Sequence, residues 1–248
     1  MPSAKDIIVR PITAQAANAL VKRVHYSGKV VPNSQLHFGV FIGNSLEGVM
    51  QFGPSMDKRK VLGLVEGTGW NDCIELNRMA FSERLPRNSE SRAIGIALRM
   101  IRKHYPNIEW VVSFADGTQC GDGTIYRASG FALTGIRENS TIIRLADGTV
   151  AASITYTKGK HILQSGGAKK PKGAEKLAGF QLRYIYFLNA DARRRMTVPI
   201  LPFSKIDELG AGMYKGKPKR TKEQAPENPS GLGGATPTCT LQSSAEAI

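Results

Sequence analysis

The sequence is poor in cysteine, in acidic residues and in long apolar runs. Cys73, Cys120 and Cys239 are the only cysteines in 248 residues, too few and too scattered for a disulfide framework or a zinc knuckle. No stretch approaches the ~18 consecutive apolar residues of a membrane helix, so no membrane partner is expected. The N-terminus, MPSAKDIIVRPIT, carries charges where a secretory signal needs an apolar centre, which points to the cytoplasm. Aromatic residues are sparse at 7%, but hydrophobic residues at 41% exclude wholesale disorder. The shortage of acid is the most informative of these: 20 Asp and Glu stand against 34 Lys and Arg, a formal net charge of +14. Such an excess points to a polyanionic partner, most often nucleic acid, with a merely solvated basic surface as the competing reading.

The charge lies on the body of the chain. From Gly216 onward four basic residues face three acidic ones, a net +1, which leaves +13 on the first 215 residues. Those last 33 residues are rich in Pro, Gly, Ser and Thr, lack aromatics and show no amphipathic period, so a disordered tail at 216–248 is expected behind one domain at 1–215. Two basic clusters stand out within the body. One gathers Lys158, Lys160, His161, Lys169, Lys170, Lys172 and Lys176 among glycines, and the other is Arg193-Arg194-Arg195. Mobile ammonium groups suit sequence-independent phosphate contacts.

The hydrophobic periods predict a mixed α+β (α/β) sheet flanked by helices. Strands are expected at Asp6–Pro11, His37–Ile42, Leu46–Phe52, Cys73–Phe81, Ile108–Ala115, Thr141–Leu145, Ser153–Thr157 and Leu182–Leu188. Helices are expected at Thr13–Val24, with Thr13 as its N-cap, at Glu90–Tyr105 before Pro106, and at Gly123–Ser129. The second helix opens Arg92-Ala93-Ile94-Gly95-Ile96-Ala97 after a strand and a loop. Free amides at such a helix start suit a pyrophosphate; Gly95 and Ala97 let a ligand near the backbone and Arg92 adds a charged contact. Small residues on a packed helix face are the alternative.

The order of strand, Arg-x-x-Gly-x-Ala helix, strand, and helix ending in Tyr126…Gly130-Phe131 resembles the acyl-coenzyme A-binding core of the GNAT acyltransferase superfamily. That resemblance implies a GNAT-like fold over residues 6–157, acetyl-CoA as co-substrate, and Tyr126 as a general acid near the thiolate. It offers no evident general base on the strand before the loop except Glu75, whose facing the sequence does not fix. Longer phrases narrow the resemblance. These are VKRVHYSGKVVP, FGVF at Phe38–Phe41, CIELNRMAFSERLPRNSESRAIGIAL at Cys73–Leu98, SFADGTQCGDGTIYRASGF at Ser113–Phe131, RYIYFL at Arg183–Leu188, VPILPF ending at Phe203, and GAGMYKG. Together they are similar to the Mom family of phage DNA-modification proteins, from about residue 7 to 216.

This second resemblance implies an enzyme that converts adenine in double-stranded DNA to a methylcarbamoyl-type adduct at its exocyclic amine and so protects phage DNA from host restriction endonucleases. It also implies a bound iron with His25, Tyr26 and Asp116 as ligands, and places Ser91 and Tyr126 at positions tied to activity. Each residue has a plainer use. His25 at a helix C-terminus suits the helix dipole, Asp116-Gly117 is a common turn, and Ser91 suits an N-cap. Nitrogen and oxygen donors without thiolates favour iron over structural zinc. Cys120 has only Arg127 as a basic neighbour in sequence and reads as inert. A paired adenine must be turned out of the duplex to react, and Tyr26, Phe38, Phe52 and Trp70 are candidates to hold it, or else core. An ordinary GNAT N-acetyltransferase and a non-catalytic DNA-binding module are the alternatives.

Overall fold

The computed structural model describes residues 3–153, 172–214 and 217–218. Most of the first cluster of lysines (Lys158, Lys160, Lys169 and Lys170, with His161) and the tail beyond 218 lie outside the described residues, as do residues 154–157 of the last expected short strand.

A seven-stranded sheet organises the chain, in the order β1-β2-β3-β4-β5-β10-β6. Its strands are β1 (Ile8–Pro11), β2 (Leu36–Ile42), β3 (Ser45–Gly53), β4 (Cys73–Phe81), β5 (Trp110–Asp116), β6 (Ala132–Glu138) and β10 (Phe180–Phe187). Short strands β7 (Ile142–Arg144), β8 (Val150–Ala152) and β9 (Glu175–Lys176) form a separate small sheet, and β11 (Met213–Tyr214) pairs with β12 (Lys217–Pro218). The helices are α1 (Ala14–Val24), α2 (Lys58–Leu62), α3 (Ser89–His104), α4 (Thr124–Ala128), α5 (Ala190–Arg194) and α6 (Ser204–Glu208). The expected α+β class is therefore the observed one.

Local chemistry accounts for the elements that carry the site. Thr13 caps α1, its Oγ1 accepting from the Ala16 amide at 3.2 Å. The helix buries Ala17, Leu20 and Val21, at helical spacing, against Val49 and Ala80 of the sheet. On the opposite face α3 buries Ala93, Ile94, Ala97, Leu98 and Ile101 against Phe38, Met50, Phe52 and Ile74. Val49 and Met50, adjacent in β3, thus point to different helices, as the two-residue period of a strand requires. A third cluster joins Trp110, Val112 and Ile185 of the sheet to Val61 and Val65 around α2 and to Ala192 of α5.

All neighbouring strands of the large sheet run antiparallel except β4 and β5. These two are joined through α3 and pair in parallel over only three positions: Cys73 with Trp110, Ile74 with Val111, and Glu75 with Val112. Beyond that point β4 stays with β3 as far as Phe81, and β5 stays with β10 as far as Asp116. The two strands have parted, and the sheet opens into a wedge. At its apex the Ser113 hydroxyl donates to the Leu76 carbonyl at 3.0 Å, substituting for the lost ladder contact.

Several expectations change in detail. Asp6 belongs to a 3-10 turn, Ala4–Asp6, rather than to β1. Of the strand expected at Ser153–Thr157 only Ser153 is described, directly after β8, and β6, α2, α5 and α6 have no counterpart in the sequence reading.

Candidate active site

The wedge between β4 and β5 holds a cavity of about 870 Å³. Leu76, Asn77, Arg78 and Met79 form its β4 wall, and Phe114, Ala115 and Asp116 its β5 wall. The C-terminal end of α1 contributes His25 and Tyr26, the start of α3 contributes Asn88, Glu90 and Ser91, and α4 contributes Tyr126. His25, Tyr26, Ser91, Asp116 and Tyr126, drawn from four separate stretches of sequence, therefore share one cavity.

Arg92, Gly95 and Ala97 lie elsewhere. The exposed Arg92 guanidinium reaches the Lys5 carbonyl at 3.4 Å. Among the described residues a Cβ on Gly95 would meet only Arg99, at 3.7 Å, so none of them demands glycine there. Ala97 is fully buried in the core. What the helix does offer the cavity is its first turn. Asn88 begins α3 in the left-handed region (φ 68°) and its side chain makes no cap bond; the Ser89 amide donates to the Pro86 carbonyl at 3.1 Å, the Glu90 carboxyl is bonded to its own backbone, and Arg87, Asn88, Glu90 and Ser91 line the cavity at that end. Ser91 is not the N-cap: it lies in the first turn, and its hydroxyl donates back to the Asn88 carbonyl at 3.2 Å.

His25 closes α1, its amide donating to Val21 O. The Ser27 amide donates to His25 Nδ1 at 3.1 Å, with Ser27 Oγ at 2.9 Å. Burial, and secondarily the Arg78 guanidinium, hold its pKa down to about 3, so the imidazole is neutral near neutral pH. The Tyr26 ring lies against it, centroids 4.2 Å apart. Burial, followed by the negative charge of Asp116, pushes the Tyr26 phenol up to about 12. Tyr126 is likewise raised by burial, with a hydrogen bond to Ser113 acting the other way. Its ring packs between Phe131 and Tyr184, at 5.4 Å and 5.3 Å. Asp116 uses both oxygens locally, accepting from the Thr118 amide at 3.0 Å and from Gln119 Nε2 at 2.9 Å. It is a turn-forming Asp and a cavity-lining one at once.

Sequence reasoning left out Arg78 and Phe114. Arg78 sets one nitrogen 3.5 Å from His25 Nε2, while its Nε is buried with no partner among the described residues. Asn77 Nδ2 is likewise buried without a partner among the described residues. Such atoms cost stability unless something polar meets them. The signal in the sequence was a cation inside an apolar strand. Phe114 is 44% exposed in the middle of a central strand, and an apolar run gave no hint that one residue of it faces a cavity. Glu75, whose facing the sequence left open, is buried enough to raise its pKa and interacts with Ser55, Arg78 and Tyr126.

The donor chemistry of His25, Tyr26 and Asp116 suits iron: a neutral imidazole, a phenol and a carboxylate, with no thiolate. Among the described residues, no group of three or more His, Cys, Asp or Glu side chains has metal-holding spacing. Arg78 would have to swing away from His25 Nε2 for a metal to take that nitrogen.

The sequence matches the Mom protein family over residues 6–205. The chain belongs to the Mom family. A relative, the protein named methylcarbamoylase mom from Escherichia phage Mu, is 40% identical over 200 residues, covering 79% of this chain and 81% of the phage protein. Among solved structures, this Mom-family chain is similar to a Bacillus subtilis acetyltransferase in complex with CoA, with 10% identity, a TM-score of 0.40, and coverage of 73% of this chain and 97% of that one. It is also similar to the ribosomal-protein-S18-alanine N-acetyltransferase of Escherichia coli, with 11% identity, a TM-score of 0.42, and coverage of 74% and 94%. Among the described residues no helix is long and apolar enough to cross a membrane.

Proposed function

We propose that this chain is a GNAT-like methylcarbamoylase of duplex DNA, using acetyl-CoA and acting in the host cytoplasm on the exocyclic amine of adenine to shield phage DNA from restriction endonucleases. One observation carries the reading. In a chain 40% identical to a methylcarbamoylase, the five family-matched residues His25, Tyr26, Ser91, Asp116 and Tyr126 line a single cavity where two parallel strands part.

The chain's own groups divide the work. The first-turn amides of α3, with Arg87 beside them, receive the pyrophosphate of the co-substrate. The thioester arm then runs into the gap between β4 and β5, where the Arg78 guanidinium offers a donor to a carbonyl oxygen. Tyr126, kept protonated by burial, holds a proton that it can give to a leaving thiolate. Phe114 and Tyr26 present apolar and aromatic surface to a base turned out of its stack. The adenine amine is a weak nucleophile because its lone pair is delocalised, so positioning and charge stabilisation carry much of the rate.

A methylcarbamoyl-type group has one nitrogen more than an acetyl group, so acetyl transfer alone does not balance and a nitrogen source is also required. Iron held by His25, Tyr26 and Asp116 would supply the redox and Lewis-acid chemistry that simple acetyl transfer never needs. The test is to express the chain in bacteria, digest the DNA to nucleosides and weigh the deoxyadenosine. A new modified deoxyadenosine is expected. An acetylated amine or protein with unmodified DNA would make the chain an ordinary acetyltransferase, and DNA binding without CoA binding would make it a binding module.

A further inference from the structure

Outside the cavity, a second constellation has no role in the reaction. Trp70 is 58% exposed and Met56 85% exposed. They wall a surface concavity of about 400 Å³ together with Asn33, Pro54 and Lys58. Leaving a Met in water forfeits a burial worth ~1.5–3 kcal/mol, and a wide apolar ring beside it adds to that loss. Lys58 Nζ stands 4.3 Å from the centre of the Trp70 ring, a cation–π contact that fixes the ring while leaving much of it open.

Lys58 and Arg59 line the same concavity. Lys60 is tied to Asp57 at 2.8 Å, Arg194 to Asp191, and Arg195 to Glu109. Lys58, Arg59 and Arg193 have no ion pair among the described residues. The two basic stretches belong to one rigid unit: Val61, Val65 and Ala192 pack in one cluster on Trp110, and the Glu66 amide donates to the Arg195 carbonyl at 2.8 Å. Thr197 is tied to the same segment through the Leu64 carbonyl at 3.1 Å. The sequence showed Arg193-Arg194-Arg195 as one basic cluster, and the structure pairs two of the three with acids and leaves Arg193 without an ion pair among the described residues.

Ser55, next to Met56, hydrogen-bonds Glu75, whose charge reaches both Arg78 and Tyr126. Glu75 is the last β4 residue paired with β5 before the strands part.

The geometry points to the α2–Trp70–α5 face as a docking surface for duplex DNA, with Trp70 and Met56 against the bases and Lys58, Arg59 and Arg193 on phosphates. It rests on the DNA reading above and extends it to a named surface. Uncompensated cations flanking an open aromatic ring and a flexible apolar side chain combine the two requirements of holding distorted DNA: neutralising the backbone and bracing an interrupted stack. An enzyme that everts an adenine must keep hold of the distorted duplex while the target is out.

The test measures binding of the full chain to a short fluorescein-labelled DNA duplex over a series of salt concentrations. Trp70→Ala with Met56→Ala is expected to weaken binding by about tenfold with the salt slope unchanged, and Trp70→Phe to recover most of it. Lys58→Ala/Arg59→Ala/Arg193→Ala is expected to lower the slope of log K against log salt by about 2–3. All these residues except the half-buried Lys58 are exposed, and unchanged melting temperatures would show that the variants are folded. If the wild type binds duplex and neither set of variants changes affinity or slope, this surface is wrong and the DNA reading stands. If the wild type binds no duplex even at low salt, the DNA reading itself falls. Loss of RNA binding with duplex binding intact would assign the face to RNA and overturn the proposal.

Discussion

The cavity and the Trp70 face contain the same ingredients, aromatic rings beside cations, and put them in opposite surroundings. In the cavity, Arg78 stands beside His25 and Tyr26 under enough cover that the imidazole and the phenol are both driven to their neutral forms. On the outer face, the half-buried Lys58 covers a Trp70 ring that is more than half exposed. Burial decides which use a pair serves. A desolvated pair holds protons and lone pairs in fixed states for chemistry, whereas a solvated one offers charge and a flat surface to a large partner.

The comparison predicts that changes in the cavity alter reaction without anchorage. His25→Ala is expected to lower adenine modification in cells by more than about 100-fold, while duplex affinity stays within about twofold. Modified deoxyadenosine by mass spectrometry and fluorescence anisotropy measure the two sides. A parallel loss of both would erase the distinction.

The cavity also depends on a backbone feature. Gly123 precedes α4 in the left-handed region (φ 82°), and a Cβ there would strike the Tyr184 ring. Gly123→Ala is expected to cost about 2–3 kcal/mol and to displace Tyr126, seen as a lower urea midpoint together with lost modification.

Removing the buried cation sharpens the electrostatic half of the comparison. Arg78→Met should raise the His25 pKa from about 3, though not back to 6.5, because burial is the larger cause and Arg78 the second. Titration of the His25 ring protons by NMR measures it. The same depressed value makes stability depend on pH. Between about 3 and 6.5 the unfolded chain binds a proton at His25 that the folded chain refuses. Stability therefore rises with pH across that window and is complete above it. Urea midpoints should fall as pH drops below 6.5, and fall less steeply in His25→Gln. The smallest expected effect lies at the far end of the helix that carries His25: Thr13→Ala should cost about 1 kcal/mol by removing the cap on Ala16.

Long, strongly patterned segments were legible in the sequence. The bounds of β4 agree with its alternation from Cys73 to Phe81, and α3 starts one residue before its expected start. The strand β6 was not, because Ala132–Glu138 contains Gly135 and ends in Arg137 and Glu138, which reads as a loop until β10 supplies its partner. Helices α2, α5 and α6 are five residues each, too short for a helical period to show. In the site, family resemblance named the residues, while the structure explains their meeting: the parting of β4 and β5 after Glu75 creates the space, and no residue pattern announces where two strands will separate. Tertiary packing also sorted the aromatic candidates for base contact. Phe38 and Phe52 stack edge to face in the core, 5.7 Å apart, whereas Tyr26 lines the cavity and Trp70 faces solvent.

The central claim is that the cavity between β4 and β5 modifies adenine in DNA. Its most direct test compares nucleosides from bacteria expressing the wild-type chain with those from bacteria expressing folded His25→Ala at equal level. The account predicts a modified deoxyadenosine in the first and almost none in the second. Only unmodified deoxyadenosine in both, with abundant folded protein, would contradict it.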